Sequence, residues 1–192
     1  MAARASICFP QVTLETPRLV LRAFEPGDLP DVAAAGADEL TQRWLPLPRP
    51  YTEEDARAWC LGVVPAMRAS GMGVHWALVE RAAGRVCGGM GLNRTDWSAL
   101  VTEVSYWVGP SARGRGHAPE AVRAVADWVL RDQGFERLEL RAATGNLASQ
   151  RVAEKAGFTR EGVLRNAGYV HAGRVDLVVY SLVRGDPPPV AR

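Results

Sequence analysis

The stretch Tyr106-Trp107-Val108-Gly109-Pro110-Ser111-Ala112-Arg113-Gly114-Arg115-Gly116-His117-Ala118-Pro119-Glu120-Ala121 constrains the fold of this chain more than any other. A β-branched and aromatic segment runs through a glycine-containing basic turn straight into a run with helical period. Ala118, Ala121, Val122, Val125, Trp128 and Val129 share one face of that run, with Glu120, Arg123, Asp127 and Arg131 opposite. A strand feeding a helix in this way predicts an α/β sheet covered by helices. Where the helix starts, several N–H groups lack intrahelical partners and present the positive end of the dipole. Gly114 and Gly116 keep side chains away from that backbone, Pro119 fits an early position where its missing N–H costs nothing, and Arg113 and Arg115 add charge. The combination suits a phosphate or pyrophosphate. A turn shaped by glycine alone is the competing structural reading. A dinucleotide fingerprint fails because Pro119 holds its third glycine position and the turn follows the fourth strand, and no Gly-Lys-Ser or Gly-Lys-Thr occurs.

Around this unit the pattern reads strand, two helices, three strands, helix, strand, helix, two strands. The strands are expected at Arg18–Ala23, His75–Val79, Val86–Leu92, Glu103–Val108, Leu138–Ala142, Gly162–Tyr169 and Arg174–Val183. Asp28 caps a helix to about Gly36, and Thr52-Glu53-Glu54-Asp55 opens one to about Ser70 that Pro65 kinks. Another helix begins at Asn146 and stops at Gly157, a residue suited to a left-handed cap. A length of 192 residues fits one domain, placed at 11–184 with loose tails at 1–10 and 185–192, the latter holding Pro187-Pro188-Pro189.

Composition narrows the function. The 23 Lys plus Arg against 21 Asp plus Glu leave +2, too balanced for a chain that coats nucleic acid or a membrane surface. Lys155 is the only lysine, a bias that genome composition explains, although arginine grips phosphate through a planar fork that lysine lacks. Cys8, Cys60 and Cys87 have neither disulfide nor metal-ligand spacing, so a reducing, cytoplasmic setting and no metal are expected. No apolar run reaches the roughly 18 residues of a membrane span, and no secretion signal is seen.

Arg113-Gly114-Arg115-Gly116-His117-Ala118 resembles the Arg/Gln-x-x-Gly-x-Gly/Ala signature of the GNAT N-acetyltransferases, in which that loop cradles the pyrophosphate of acetyl-CoA. Further segments are similar to the family's ribosomal-protein N-terminal acetyltransferase branch (RimJ/RimL type). They are Leu14-Glu15-Thr16-Pro17-Arg18-Leu19-Val20-Leu21-Arg22, then Asn146-Leu147-Ala148-Ser149 through Glu154-Lys155-Ala156-Gly157-Phe158, and Gly173-Arg174-Val175-Asp176 with Tyr180. The four occur in the family's order over Leu14–Val183. The resemblance implies a mixed, mostly antiparallel sheet flanked by helices. Its fourth and fifth strands would splay around the cofactor.

The implied activity is acetyl transfer from acetyl-CoA to a primary amine, by direct attack in a ternary complex. Arg113, Gly114, Arg115, Gly116, His117 and Ala118 would hold the phosphates, and the backbone of Trp107 and Val108 the thioester oxygen. Asn146 would touch the pantetheine arm, Ser149 would protonate the departing thiolate, and Glu103 would serve as base. Each has a structural alternative: Asn146 as a helix cap, Ser149 bonded to backbone, Glu103 as a strand-end carboxylate. Ala153 stands where many relatives place a tyrosine acid, and Gly168 precedes Tyr169 where some have an acidic residue. Trp44, Trp59, Trp97 and Tyr169 are the candidate acceptor contacts, with core packing the alternative for the tryptophans, and His75 and His171 read as packing or surface residues. A small-amine acyltransferase using another acyl-CoA, a non-catalytic acyl-CoA-binding module and a possible homodimer complete the expectations.

Overall fold

A computed structural model describes residues 7–186; the tail expectations for 1–6 and 187–192 lie outside the described residues. The strands are β1 (Leu14–Glu15), β2 (Leu19–Arg22), β3 (Val74–Glu80), β4 (Arg85–Asp96), β5 (Val101–Val108), β6 (Arg137–Ala143), β7 (Thr159–Val170) and β8 (Gly173–Val183). The helices are α1 (Leu29–Ala37), α2 (Glu39–Trp44), α3 (Glu53–Arg57), α4 (Val64–Ala69), α5 (His117–Asp127) and α6 (Leu147–Lys155). One open sheet carries the strands in the order β1-β2-β3-β4-β5-β6-β8-β7. Every pairing is antiparallel except β5–β6, which α5 joins as a parallel crossover. This is the expected α/β architecture of a mostly antiparallel sheet flanked by helices.

The sheet separates two cores. On one face Leu19, Leu21, Trp76, Leu78, Val104 and Leu140 pack against Ala121, Val122 and Val125 of α5. On the other, Leu29 and Val32 from α1, Ala56 from α3, Cys60 from the segment between α3 and α4, and Val64 from α4 cover Ala77 and Val79. β3 is therefore buried on both faces, and its run His75-Trp76-Ala77-Leu78-Val79 is apolar except at His75. Burial pushes the Cys60 thiol up to about 12 and the Cys87 thiol up to about 11, leaving both unreactive at neutral pH.

Three departures from the sequence reading matter. The segment after α1 forms a further helix, α2, whose N-cap Asp38 accepts a hydrogen bond from the Thr41 N–H at 2.9 Å. The helical stretch before Pro65 does not simply kink: α3 reaches α4 through a wider turn over Ala58–Val63, in which the Val64 N–H bonds the Trp59 carbonyl. Such a π turn accommodates the N–H that proline lacks.

The third correction is at the N-terminus, where the chain was expected to be loose through residue 10. Phe9 is instead 0% exposed, with ring centroids 4.7 Å from Trp97 and 5.4 Å from Phe135. Phe9→Ala should destabilise the protein by about 3–5 kcal/mol, the usual cost of truncating a fully buried phenylalanine. Urea unfolding checks this; a midpoint equal to the parent's would remove Phe9 from the folding unit.

Candidate active site

β5 and β6 pair only at Val101–Glu103 with Arg137–Glu139. Beyond Glu103 the strands part, so the gap lies between the segments 103–108 and 138–142. They are the fifth and sixth strands rather than the fourth and fifth because β1 forms ahead of them. The backbone explains what faces the gap. The Gly109 N–H bonds the Cys87 carbonyl at 2.9 Å, and the β4–β5 register continues regularly through Gly89↔Trp107 and Gly91↔Ser105. In an antiparallel pair the residues alternate, so Trp107 bonds into β4 while Tyr106 and Val108 turn their N–H groups away from it. Only Val108 of the expected Trp107–Val108 pair thus offers an N–H to the gap.

At the top of the gap the loop enters α5. Gly114 (φ +75°) and Gly116 (φ +80°) adopt left-handed backbone, and a Cβ on Gly114 would meet nothing within 4 Å. The cradle is open, and the first turn of α5 faces it. The two arginines behave differently. Arg115 is 56% exposed, with Nη1 3.5 Å from Glu80 Oε1, while its carbonyl accepts from Arg18 Nη1 at 2.7 Å. Arg113 turns inward: Nη2 donates to Asp38 Oδ2 at 2.5 Å and to Thr41 Oγ1 at 3.0 Å, and Nε to the Val108 carbonyl at 3.0 Å. Its guanidinium holds the Asp38 carboxyl below the usual range. Arg113 ties the loop to the start of α2, so its charge is already engaged. His117 and Ala118 are buried, and the His117 Nδ1 has no hydrogen-bond partner.

Glu103 sits where the strands part. Its Oε2 is buried without a hydrogen bond, 3.4 Å from Arg141 Nε and 3.9 Å from Arg94 Nε. Burial raises its pKa, the two arginines oppose that rise, and Glu139 adds to it. On the other face, Asn146 caps α6 by accepting from the Ser149 N–H at 3.1 Å. The Ser149 hydroxyl lies 2.8 Å from the Tyr106 phenol, which joins β5 to α6 across the gap. Burial pushes Tyr106 up to about 12. Sequence reasoning gave Tyr106 no role; its placement opposite the first turn of α6 is a long-range contact.

A cavity of about 220 Å³ opens on the α1–α3 face beside β5. Its floor is the glycine-rich part of β4. A Cβ on Gly89 would stand 2.5 Å from Trp107 Nε1, so that glycine lets the indole lie flat on the sheet. A broader cavity of about 740 Å³ lies between α2, Arg49–Tyr51 and the β7–β8 turn at His171 and Ala172. The acceptor candidates divide. Trp44 packs 3.3 Å from where a Gly145 Cβ would be, at the β6–α6 loop. Tyr169 is 59% exposed on β7, two residues from the turn that lines the broad cavity. Trp97 is corrected: it belongs to the Phe9–Phe135 aromatic cluster, donates to the Gly71 carbonyl at 2.8 Å and lines neither cavity. Trp59, expected near the acceptor pocket, lines the smaller cavity with His75 and Ser105; His75, Asn93 and Ser105 are the cavity-side residues the sequence left without an acceptor role. Among the described residues no three His, Cys, Asp or Glu side chains gather as a metal site, and no helix is long and apolar enough to cross a membrane.

Comparison with known proteins agrees with this geometry. The acetyltransferase (GNAT) domain model matches residues 18–159. The N-acetyltransferase YoaA of Bacillus subtilis (strain 168) is 28% identical over 171 residues, covering 89% of this chain and 96% of that protein. The ribosomal-protein-serine acetyltransferase of Escherichia coli (strain K12) is 25% identical over 96 residues, 50% of this chain and 54% of that one. Among solved structures, a GCN5-related N-acetyltransferase from Brucella melitensis superposes with a TM-score of 0.78 at 25% identity, covering 92% of this chain and 80% of that one. Mycobacterium smegmatis RimJ, in complex with CoA-disulfide, superposes with a TM-score of 0.82 at 19% identity, covering 93% and 90%. With a loop, helix and divided sheet of this form, and a family match across most of its length, the chain belongs to the GNAT acetyltransferase family and is an acyl-CoA-dependent N-acetyltransferase.

Proposed function

We propose that acetyl-CoA lies in the gap between β5 and β6 and that a primary amine, a protein N-terminus or a small molecule in the cytoplasm, attacks from the α1–α3 face. The observation that carries this reading is the gap itself: a strand edge with a free Val108 N–H leads to an open, left-handed glycine loop at a helix start. Acetyl-CoA supplies the activated thioester. The phosphates rest on the Gly114–Ala118 backbone with Arg115 alongside, and Asn146 and the first turn of α6 flank the arm. The Val108 N–H meets the negative charge that grows on the thioester oxygen during attack. Amines are largely protonated at pH 7, so the proton must leave first; Glu103 takes it, directly or through water. Ser149 returns a proton to the sulfur.

The test is acetyl-CoA-dependent thiol release with a panel of N-terminal peptides and small amines; CoA binding without release from any acceptor would favour a binding module instead. The two loop arginines should separate in the same assay. Arg115→Ala removes a charge-assisted contact worth about 1.5–3 kcal/mol, and should raise the KM for acetyl-CoA roughly 10- to 100-fold. Arg113→Ala should act on the acceptor side, raising acceptor KM more than acetyl-CoA KM, because it releases Asp38 and Thr41 at α2. Equal effects of the two substitutions on acetyl-CoA binding would sink this division.

A further inference from the structure

Three polar side chains on the α1–α3 face, His75, Asn93 and Ser105, make one hydrogen-bonded chain at the smaller cavity. His75 stands opposite Gly91, and Gly91 opposite Ser105, so His75, Gly91 and Ser105 form a single row across β3, β4 and β5. Gly91 has no side chain to fill the middle of the row. A Cβ there would stand 2.1 Å from His75 Nδ1, so the glycine is what lets the imidazole lean over β4. Asn93, the next residue on that face, places Oδ1 2.9 Å from His75 Nε2 and Nδ2 2.6 Å from Ser105 Oγ.

The directions of these bonds follow from chemistry. An amide nitrogen only donates, so with Nδ2 on the Ser105 oxygen, Asn93 Oδ1 accepts from His75 Nε2–H. That fixes the tautomer and leaves His75 Nδ1 as an acceptor and the Ser105 hydroxyl proton as a donor. Burial lowers His75 to about 4, so the ring is neutral at pH 7. Apart from Thr41, whose hydroxyl is engaged by Asp38 and Arg113, the remaining wall is largely apolar or aromatic, with Val32, Leu45, Leu47, Tyr51, Trp59 and Trp107, and no charged side chain lines it. A volume of about 220 Å³ exceeds the roughly 150 Å³ in which a benzene ring is accommodated.

We propose that this cavity selects the acceptor's body: a ring-sized, uncharged group carrying one neutral donor–acceptor function, such as a phenol or carboxamide, read by His75 Nδ1 and Ser105 Oγ–H. The proposal rests on the amine entering from this face and deepens that reading by naming the acceptor class. A charged body would be stripped of water with no partner for its charge, and is rejected on that ground.

The experiment compares tyramine, phenethylamine and putrescine as acceptors for the full chain with acetyl-CoA, following thiol release. Tyramine should exceed phenethylamine in kcat/KM by about 3- to 10-fold, the worth of one net hydrogen bond, and putrescine should fall below both. In Ser105→Ala and in His75→Phe the tyramine-to-phenethylamine ratio should drop toward one, through KM. Ser105→Ala keeps the test open if His75→Phe fails to fold. Putrescine matching phenethylamine, or a ratio unmoved by Ser105→Ala, overturns the proposal. If none of the three amines releases thiol while a peptide acceptor does, transfer stands and the pocket is judged by calorimetry with tyramine; if the peptide panel is silent too, the transfer reading fails and the same calorimetry judges the pocket alone. Binding weakened by Ser105→Ala then supports it, and binding absent or unchanged overturns it.

Discussion

Glu103→Gln should lower kcat by about 10²- to 10⁴-fold, the range of a lost general base, while leaving the protein at least as stable as the parent at pH 7. The two effects have one cause. Glu103 Oε2 is buried where β5 and β6 part and accepts no hydrogen bond, and Arg141 and Arg94 face it without fully offsetting the loss of water. Its pKa is therefore raised above the ordinary carboxylate range, a direction that makes it a better proton acceptor. The sign of the stability effect follows from the same shift. A carboxyl whose folded pKa is raised favours the fold while it is protonated, in acid, and loses that contribution as pH rises through the raised value. Glutamine stays neutral throughout, so the variant's advantage in melting temperature should be largest near pH 7 and shrink as pH falls toward the ordinary carboxylate range. Calorimetric scans from pH 4 to pH 8 beside the pH dependence of kcat/KM measure both. A variant less stable than the parent at pH 7, or one that keeps its activity, would return Glu103 to the part of a strand-end carboxylate paired with arginines.

The features legible in the sequence are those governed by neighbours along the chain. Strand alternation, the helical period after Gly116 and the caps at Thr52 and Asn146 each depend on residues a few positions apart, and each forms. What was not legible depends on distant partners. Phe9 looks like part of a frayed end until Trp97 and Phe135 come to surround it. Arg113 carries a phosphate-loop signature, yet Asp38, 75 residues away in the chain, captures its guanidinium. The glycines of β4 resemble weak points in a strand, and only the rings of Trp107 and His75 laid over them show why side chains are missing there. Of the candidate site, the loop and the gap could be expected from motif and order. The acceptor wall could not, because it is assembled from α1, α2, β3, β4 and β5 by packing rather than by spacing.

Ser149→Ala should cost about 10²- to 10⁴-fold in kcat at pH 7, and the defect should shrink above roughly pH 8.5. The hydroxyl is 2.8 Å from the Tyr106 phenol, while the Ser149 N–H is held by the Asn146 cap at 3.1 Å. Alanine keeps that N–H and its cap, so α6 should start as before and only the proton source is lost. A thiol resembling cysteine has a pKa of roughly 8.5, so above that pH the sulfur departs as a stable thiolate and needs no donor. Tyr106, pushed up to about 12 by burial, remains a neutral phenol through this range and does not titrate into the profile. Its part is to orient the serine: Tyr106→Phe should lower kcat by about tenfold, the scale of one lost hydrogen bond to a reacting group. Because both substitutions break the same contact, the double variant should be no slower than Ser149→Ala alone. A defect in Ser149→Ala that stays constant from pH 7 to pH 9.5 would show that water protonates the sulfur and that the Tyr106–Ser149 bond serves only to hold β5 against α6. Additive losses in the double variant would separate the two side chains and give the phenol a proton-transfer role of its own.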